Sequence, residues 1–265
     1  MSGEPRTKLN RLLRAWPQGT VAVSSWLEKQ GAYQQLLHEY EKSGWIERIG
    51  QGAYIRAGDS VEWTGGLYAL QKHLKLPVHV AAKTALQMQG YAHFLPLGKG
   101  GVVTLFGTPG TRLPTWFRRY DWGVKLRYVT TKLFADDPDA GLTTKTLGTW
   151  AITLSAPERA MMEVLHLVPG KETFEEASLL MQGLTTLRPR LVQSLLEQCQ
   201  SVKVKRLFMF LAESHNHAWI RKLDLSKVDF GKGKRMIVKG GRFDAKYKIT
   251  VPDMDIGLGE SALSI

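Results

Sequence analysis

Side chains suited to contacts with nucleic-acid bases are concentrated between residues 34 and 42. A glutamine amide can form two hydrogen bonds with adenine, and histidine or lysine can reach guanine or a phosphate oxygen. The apolar residues of this segment recur with the period of a helix, so the polar ones fall on the opposite face. The predicted inward face comprises Tyr33, Leu36, Leu37 and Tyr40, and the predicted outward face comprises Gln34, Gln35, His38 and Lys42.

The elements that would position this outward face can be traced through the first 56 residues. Apolar periodicity predicts the helices, and a loop of Gly50-Gln51-Gly52 between two β-rich runs predicts a hairpin. Three helices followed by a hairpin are typical of a winged helix-turn-helix. In chain order the predicted elements are a helix ending before Pro17, an extended segment at 20–23, helices at 25–30 and 32–42, and strands at 45–49 and 53–56.

Other polar residues of this unit are predicted to hold it on the DNA backbone. Ser24 can cap the second helix, and with Ser25 it brings backbone N–H groups to a place where they can bind a phosphate. Arg48, Gln51 and Arg56 lie on or near the hairpin, where backbone or minor-groove contacts are expected. A winged unit used only for protein contacts is the alternative, since residues 1–62 carry eight basic and seven acidic residues.

The rest of the chain predicts a larger domain of mixed helices and strands. We therefore expect an α+β protein, with a winged helix-turn-helix domain at 1–60 and a C-terminal domain at 61–265. Ser155 and Glu158 are spaced as a capping box, with Pro157 in the first helical turn. The predicted elements are two helices within 63–96, strands at 101–106, 124–129 and 149–154, helices from 157, at 174–182, 189–200 and 202–213, and strands at 236–239 and 247–251.

Positive charge is concentrated in the middle of the chain. The 265 residues contain 36 Lys and Arg against 24 Asp and Glu, a net charge of +12, and residues 63–135 alone carry ten basic residues and one acidic residue. This excess favours a polyanionic partner, although generic solubility would also account for it. A hydrophobic share of 43% argues against a disordered protein, and the single Cys199 argues against a disulfide-rich one. The sequence also lacks a long apolar run, which argues against a membrane-spanning protein. Together these features favour the cytoplasm.

Two basic segments carry candidate contacts with phosphate or with a partner. In the first, Arg112, Arg118 and Arg119 are interleaved with four aromatic residues between 116 and 122. That pattern suits base stacking and phosphate neutralisation, unless the aromatic rings simply belong to the core. In the second, Lys232, Lys234 and Arg235 belong to the densest positive run of the chain, which suits phosphate, an acidic partner surface or plain solvation.

Motifs for catalysis are weak, so we expect no enzyme, no cofactor and no metal. His215 and His217 lack the further ligands that a metal site needs, and an exposed loop is the expected setting. Residues 231–234 contain two Gly-Lys pairs but not the spacing of a phosphate-binding loop. Asp253 and Asp255 with nearby lysines leave one alternative open, a nuclease-like enzyme that the winged unit delivers to nucleic acid.

Four segments together resemble the AbiEi family of antitoxins, and the resemblance extends over nearly the whole chain. The most specific are the helix start Ser-Ala-Pro-Glu-Arg-Ala and the tail Asp-Phe-Gly-Lys-Gly-Lys-Arg. The segments are Gly44–Tyr54 (GWIERIGQGAY), Ala81–Leu86 (AAKTAL), Leu154–Ala160 (LSAPERA) and Leu223–Arg235 (LDLSKVDFGKGKR).

The resemblance implies two activities, each in one domain. Family members are antitoxins of bacterial abortive-infection operons: the winged domain represses the operon's own promoter at inverted repeats, and the C-terminal domain counters a nucleotidyltransferase-type toxin. The implied partners are therefore operator DNA and the toxin, reached directly or indirectly, and no membrane. In one respect the chain departs from this pattern, because its winged unit is nearly neutral, which leaves open whether basic groups of the larger domain help to hold DNA.

Overall fold

The chain forms two compact units that interleave along the sequence. A computed structural model describes residues 4–91 and 101–252, with side chains from residue 8 onward. The first unit contains the described residues within 1–84, 96–132 and 142–155, and the second contains those within 85–95, 133–141 and 156–265. Both helices and strands are abundant, which confirms the predicted α+β class.

The N-terminal part of the first unit has the element order expected of a winged helix-turn-helix. Its three strands form an antiparallel sheet in the order β1-β3-β2. The hairpin β2–β3, with its turn at Gln51–Gly52, is called the wing below. The elements are α1 (Glu4–Ala15), β1 (Ala22–Val23), α2 (Ser24–Lys29), α3 (Gln34–Lys42), β2 (Ile46–Gly50) and β3 (Ala53–Arg56).

An apolar core joins the three helices to this small sheet. Trp16 is fully buried at its centre, and its indole N–H donates to the carbonyl of Thr20 at 3.0 Å. Arg56, at the end of β3, donates to the Trp16 carbonyl at 3.2 Å and so ties the wing to the end of α1. The helix faces predicted from periodicity contribute Leu9, Leu12, Leu36, Leu37 and Tyr40 to this core, and Leu27 of α2, Ile46 of β2 and Tyr54 of β3 complete it.

Two predicted details of this part are wrong. Ser24 does not cap α2, because the helix begins at Ser24 itself and Val23 occupies the N-cap position without a side-chain bond. Tyr33 does not pack inward, because α3 begins one residue later and Tyr33 is its extended N-cap residue. Tyr33 is 57% exposed, and as a residue that precedes the helix it need not follow the helical period.

A five-stranded mixed sheet forms the rest of the first unit. Its order is β6-β5-β4-β8-β7, and the short central strand β4 pairs antiparallel with β5 and parallel with β8. Strands β5 and β6 pair in parallel over six residues, with helix α6 in the connection between them. The elements are α4 (Trp63–Tyr68), a π-helical turn (Ala69–His73), β4 (Val78–Val80), α5 (Ala82–Met88), β5 (Val102–Gly107), α6 (Thr115–Arg119), β6 (Lys125–Thr130), β7 (Leu142–Leu147) and β8 (Trp150–Ser155).

The two-helix prediction for residues 63–96 is incomplete because it misses β4, and β7 was not predicted at all. Val78–Val80 is only three residues long, too short for an alternating pattern to emerge. Its identity as a strand depends on pairing with partners distant in sequence, such as Leu105 and Leu154 on either side of Val80. Leu142–Leu147 is a half-exposed strand at one end of the sheet order and carries few apolar residues.

Helix α6 lies against the wing. A methyl group on Gly50 would lie only 2.6 Å from the Cβ of Trp116, so the absence of a side chain at Gly50 permits this close approach. Trp116 and Phe117 of α6 are buried, and the Trp122 indole donates to the Phe117 carbonyl at 2.8 Å. A side chain at Gly66 on α4 would overlap the rings of Phe117 and Trp122, so α6 is held on both sides.

The second unit is mainly helical. Helices α7 and α10 pack together, and most side chains of both are buried. Its small sheet has the order β10-β11-β9. The elements are α7 (Pro157–Leu167), α8 (Phe174–Gln182), α9 (Pro189–Gln198), α10 (Val202–Ser214), 3-10 turns at Ala218–Lys222 and Leu225–Lys227, β9 (Arg235–Met236), β10 (Arg242–Asp244) and β11 (Ile249–Val251).

The predicted capping box at the start of α7 is wrong, although Pro157 does occupy the first turn. The N-cap residue is Ala156, and it forms no side-chain cap bond. The Glu158 carboxylate is buried and instead accepts three hydrogen bonds of 2.9 Å from the amide and guanidinium of Arg188. Burial alone would raise the pKa of Glu158, but these bonds hold it below its ordinary value.

A buried arginine on α10 holds the C-terminal segment. The Arg206 side chain is 1% exposed, and its acceptors are backbone carbonyl oxygens rather than a carboxylate. Bonds of 2.8, 3.0 and 2.7 Å reach Phe230, Gly231 and Gly233, and a longer one of 3.3 Å reaches Lys248. Burial lowers the pKa of Arg206 from its ordinary value.

Replacing this arginine is expected to destabilise the second unit strongly. In Arg206→Met the apolar stem remains, but four carbonyls lose their donor, and an unpaired buried carbonyl costs about 1–3 kcal/mol. We expect the free energy of unfolding to fall by at least about 3 kcal/mol, measured by urea denaturation. Arg190→Met, at an exposed position of α9, is the matched control. Equal stability of the two variants would contradict the structural role of Arg206.

The contact between Gly50 and Trp116 makes a second prediction. Gly50→Ala should force β2 and α6 apart and lower the unfolding free energy by about 1–3 kcal/mol, as overpacking does. Gly170→Ala is the control, because nothing lies within 4 Å of the methyl group that it adds. The two melting temperatures are compared by calorimetry. A Gly50→Ala variant as stable as the wild type would show that α6 does not rest on the wing.

His73 predicts a pH dependence. Its ring stacks on Trp26 at 4.4 Å, and neither of its buried nitrogens has a hydrogen-bond partner among the described residues. Burial, with a smaller repulsion from Lys75, lowers the pKa of His73 to about 4. Between about pH 6.5 and 4 the unfolded chain therefore binds a proton that the folded chain does not, so stability should fall as the pH falls.

The variant His73→Phe keeps the ring and should flatten this dependence. Unfolding free energies are measured at a series of pH values from 7 to 4. His38→Phe, at an exposed site on α3, is the control and should retain the wild-type slope. If all three proteins lose stability equally over this window, His73 does not contribute to the pH dependence.

Candidate nucleic-acid interface

Helix α3 presents the predicted polar face to solvent. Gln34, Gln35, His38 and Lys42 are all exposed, while Leu36, Leu37 and Tyr40 are buried. The first helical turn therefore offers two glutamine amides, and the following turns offer an imidazole and an ammonium group. Side chains in such an arrangement can reach base edges when a helix lies in a major groove.

Negative charge on the same helix offsets its positive charge. Glu39 is exposed on α3, and the Glu41 carboxylate lies 3.2 Å from the Arg48 guanidinium. Arg48 also lies over the ring of Tyr54, 5.2 Å from its centroid. Of the cations predicted to contact the backbone, Arg48 is thus engaged by an acid, and Arg56 is half-buried and donates to the Trp16 carbonyl.

The wing turn is fixed against the start of α2. The amide of Ser24 donates to the carbonyl of Gly52 at 2.9 Å, and Gly52 adopts a φ of +70°, which favours glycine. Ser24 is half-buried, whereas Ser25 and Gln51 are exposed. Ser25 and Gln51 are therefore the residues here with polar side chains open to a ligand.

Two exposed aromatic side chains flank α3 and were not predicted as site residues. Tyr33 immediately precedes the helix, and Trp45, which is 50% exposed, lies between the helix and β2. Neither residue is part of the helix, so the helical period does not predict which way its side chain faces. Both rings are exposed at the ends of the candidate recognition helix, whereas the sequence pattern predicts packing for Tyr33.

The basic segment around α6 separates into buried rings and exposed cations. Trp116, Phe117 and Trp122 are buried in the first unit, so the stacking interpretation is wrong for these three rings. The cations are on the surface: Arg112, Arg118 and Arg119 are all exposed.

The second basic segment covers the loop held by Arg206. Lys232, Lys234 and Arg235 are all exposed. The Lys234 ammonium lies 5.0 Å from the centroid of the Phe243 ring, which is itself partly exposed. Arg206 donates hydrogen bonds to the carbonyls of residues 230, 231 and 233, so the backbone that carries these cations is held in place.

The groups considered for catalysis are engaged in packing. His217 is buried, stacks on Trp219 and bonds to the Met181 carbonyl at 2.8 Å, so the exposed-loop expectation is wrong for this residue. The His215 imidazole lies 3.0 Å from the Ser178 hydroxyl. Burial raises the pKa of the Cys199 thiol to about 11, which disfavours the nucleophilic thiolate at neutral pH.

The described part of the chain has neither a cluster of metal ligands nor a helix that could span a membrane. There, no three His, Cys, Asp or Glu side chains are grouped as metal ligands. Asp253 and Asp255, on which the nuclease alternative depended, lie outside the described residues. Within 4–91 and 101–252, every helix is too short or too polar to cross a bilayer.

Comparisons with known proteins place the chain in one family. No curated protein matches this chain. The crystal structure of the RV2827C protein from Mycobacterium tuberculosis has a similar fold, with a TM-score of 0.55 at 14% sequence identity over 92% of this chain and 90% of that chain. Two family models match: the AbiEi antitoxin N-terminal domain over residues 5–97, and the AbiEi antitoxin of type IV toxin–antitoxin systems over residues 100–252, both described as transcriptional regulators. The chain therefore belongs to the AbiEi family of antitoxins and transcriptional regulators.

Proposed function

We propose that this protein represses its own operon by binding operator DNA, and that it counteracts a nucleotidyltransferase-type toxin. The observation that carries the first activity is the exposed pair Gln34 and Gln35 at the start of α3, within the element order of a winged helix-turn-helix. Family membership supports the second activity.

In this proposal α3 lies in the major groove. Gln34 and Gln35 bond to adenine edges, and His38 reaches a guanine or a phosphate. Lys42, Ser25 and the wing residues position the unit on the DNA backbone, while Ser24 holds the wing turn through the bond from its amide to the Gly52 carbonyl. Arg48 exchanges part of its contact with Glu41 for a phosphate, Gln51 contacts the backbone or minor groove, and Arg56 supports the wing from behind. Two copies on adjacent half-sites match an inverted repeat.

The C-terminal part acts on the toxin in this proposal, directly or indirectly. Lys232, Lys234 and Arg235 form an ordered basic surface, which suits an acidic partner or a phosphate. We propose that both activities depend on binding rather than on catalysis, in agreement with the family's description as transcriptional regulators.

The recognition face predicts a loss of sequence discrimination. In Gln34→Ala/Gln35→Ala, each lost bidentate base contact should reduce discrimination between operator and scrambled duplex by about 1–3 kcal/mol. The measurement is a fluorescence titration with the DNA upstream of the protein's own gene and with a scrambled duplex of equal length. Gln182→Ala, at an exposed glutamine of the second unit, is the control and should keep the wild-type preference.

The same titration separates the alternatives. Unchanged preference in the double variant would contradict the assignment of α3 as the recognition helix. No preference in the wild type would contradict operator binding itself. Titration with and without Mg²⁺ tests the role of catalysis, because a nuclease would cut the duplex when the ion is present, whereas a repressor leaves it intact.

A further inference from the structure

The second unit contains an open cleft beside the start of α9. Its volume is about 820 Å³, which lies within the range of about 300–1,000 Å³ that is typical of small-molecule sites. It is lined by residues 188–191 and 193 on one side, and by residues 222 and 224, where the 3-10 turn Ala218–Lys222 ends, on the other. The contacts with operator and toxin proposed above use none of these residues.

Cations outnumber acids among the described residues that line this cleft. Arg188, Arg190 and Lys222 line it, and Asp224 is the acidic residue on its rim. The Asp224 carboxylate lies 3.4 Å from the Lys227 ammonium, so its charge is offset within its own segment. Arg190 and Lys222 are exposed, and neither forms an ion pair with a described carboxylate. The cleft therefore carries a net positive charge.

The guanidinium of Arg188 is held in a fixed orientation at this cleft. Its Nε and Nη2 each donate to the buried Glu158 carboxylate at 2.9 Å, whereas its Nη1 donates to no acceptor within the described residues. The side chain is nevertheless 63% exposed. A donor that is already oriented loses little conformational entropy when it binds a ligand. Arg188 thus contributes an oriented donor, and the unpaired charge comes from Arg190 and Lys222.

Gln193 ties the two sides of the cleft together. Its side-chain Nε2 donates to the Asp224 carbonyl at 3.0 Å, and its Oε1 accepts the Asp224 amide at 2.9 Å. Two bonds in opposite directions between one side chain and one backbone residue fix the spacing between α9 and residues 222–224. Glu158 and Asp224 belong to two of the four segments on which the family resemblance depends, so these segments frame the cleft.

The chemistry of the lining suits a phosphorylated small molecule. Guanidinium and ammonium groups bind phosphate oxygens, and cations on two sides of a cleft match the several oxygens of a phosphate chain better than one carboxylate. Pro189 and Leu191 also line the cleft and are half-buried. Their apolar surface has no use for a phosphate group, but a base or a sugar would cover it.

We propose that this cleft binds a small phosphorylated anion of the size of a nucleotide. Arg190 and Lys222 bind phosphate oxygens from the two sides, and the free end of the Arg188 guanidinium donates to a further one. The base or sugar lies against Pro189 and Leu191. This activity goes beyond the proposed function and does not depend on operator binding.

The test is a calorimetric titration of the full chain with ATP, CTP and inorganic tripolyphosphate at constant ionic strength. In Arg190→Ala/Lys222→Ala the affinity for each of these ligands that binds the wild type should fall by at least about tenfold, because bonds to charged groups are lost. Both side chains are exposed, so the fold should persist, which circular dichroism checks.

Two further variants separate the position of the charge from its amount. Arg221→Ala/Lys239→Ala also removes one arginine and one lysine from exposed positions of the second unit, but neither residue lines the cleft, so the affinity should stay at its wild-type value. Arg190→Lys/Lys222→Arg keeps both charges in the cleft and should retain most of the affinity.

The three ligands distinguish the sources of the phosphate. Tighter binding of ATP or CTP than of tripolyphosphate supports a nucleotide, and equal binding supports a polyphosphate; in both cases the loss must be specific to Arg190→Ala/Lys222→Ala. No binding to the wild type, or an equal loss in Arg221→Ala/Lys239→Ala, would overturn the cleft as a phosphate site.

A titration of the same variants with a scrambled duplex separates this site from a general polyanion surface. We expect Arg190→Ala/Lys222→Ala to bind the duplex as the wild type does. A loss on the duplex as large as the loss on ATP would overturn the proposal. Absence of operator preference in the wild type would contradict the proposed function alone, because the calorimetric titration contains no DNA.

Discussion

The candidate interface depends on the close approach of α6 to the wing at Gly50. Any side chain at that position would meet Trp116, so the two elements can touch only where β2 lacks a Cβ atom. Trp116 and Phe117 of α6 and the neighbouring Trp122 are buried, whereas Arg118 and Arg119 are exposed to solvent. The rings of this segment belong to the core, and its exposed arginines are the groups that a polyanion can reach.

Charge is organised differently in the two units. In the first unit, exposed cations beside a nearly neutral winged segment are available for phosphate contacts. In the second unit, buried charged groups are structural; among them Glu158 accepts hydrogen bonds from Arg188, and Arg206 donates to carbonyl oxygens. A charged group can be buried only where hydrogen bonds replace those it would make with water. Here the bonds of Glu158 fix the start of α7, and the bonds of Arg206 fix the loop that carries Lys232 and Lys234.

The two parts of the family match do not correspond to two separately folded pieces. Strand β4 lies in the segment matched by the N-terminal model, whereas β5 and β8, which pair with it on either side, lie in the segment matched by the second model. The five-stranded sheet is therefore completed only when both segments are present. Without β5 and β8, both edges of β4 would carry unpaired backbone N–H and C=O groups, and such edges promote aggregation.

The sequence by itself determined the elements whose signal is local. Helical periodicity predicted α3 and its outward residues, glycine at the turn predicted the hairpin, and residue motifs predicted the family that the comparisons confirm. Only the tertiary structure decided that Val78–Val80 is a strand, that Glu158 pairs with Arg188, and that the rings around α6 are core. Each of these depends on a partner far away in the chain, and no local pattern encodes the partner of a short strand, a buried carboxylate or an aromatic ring.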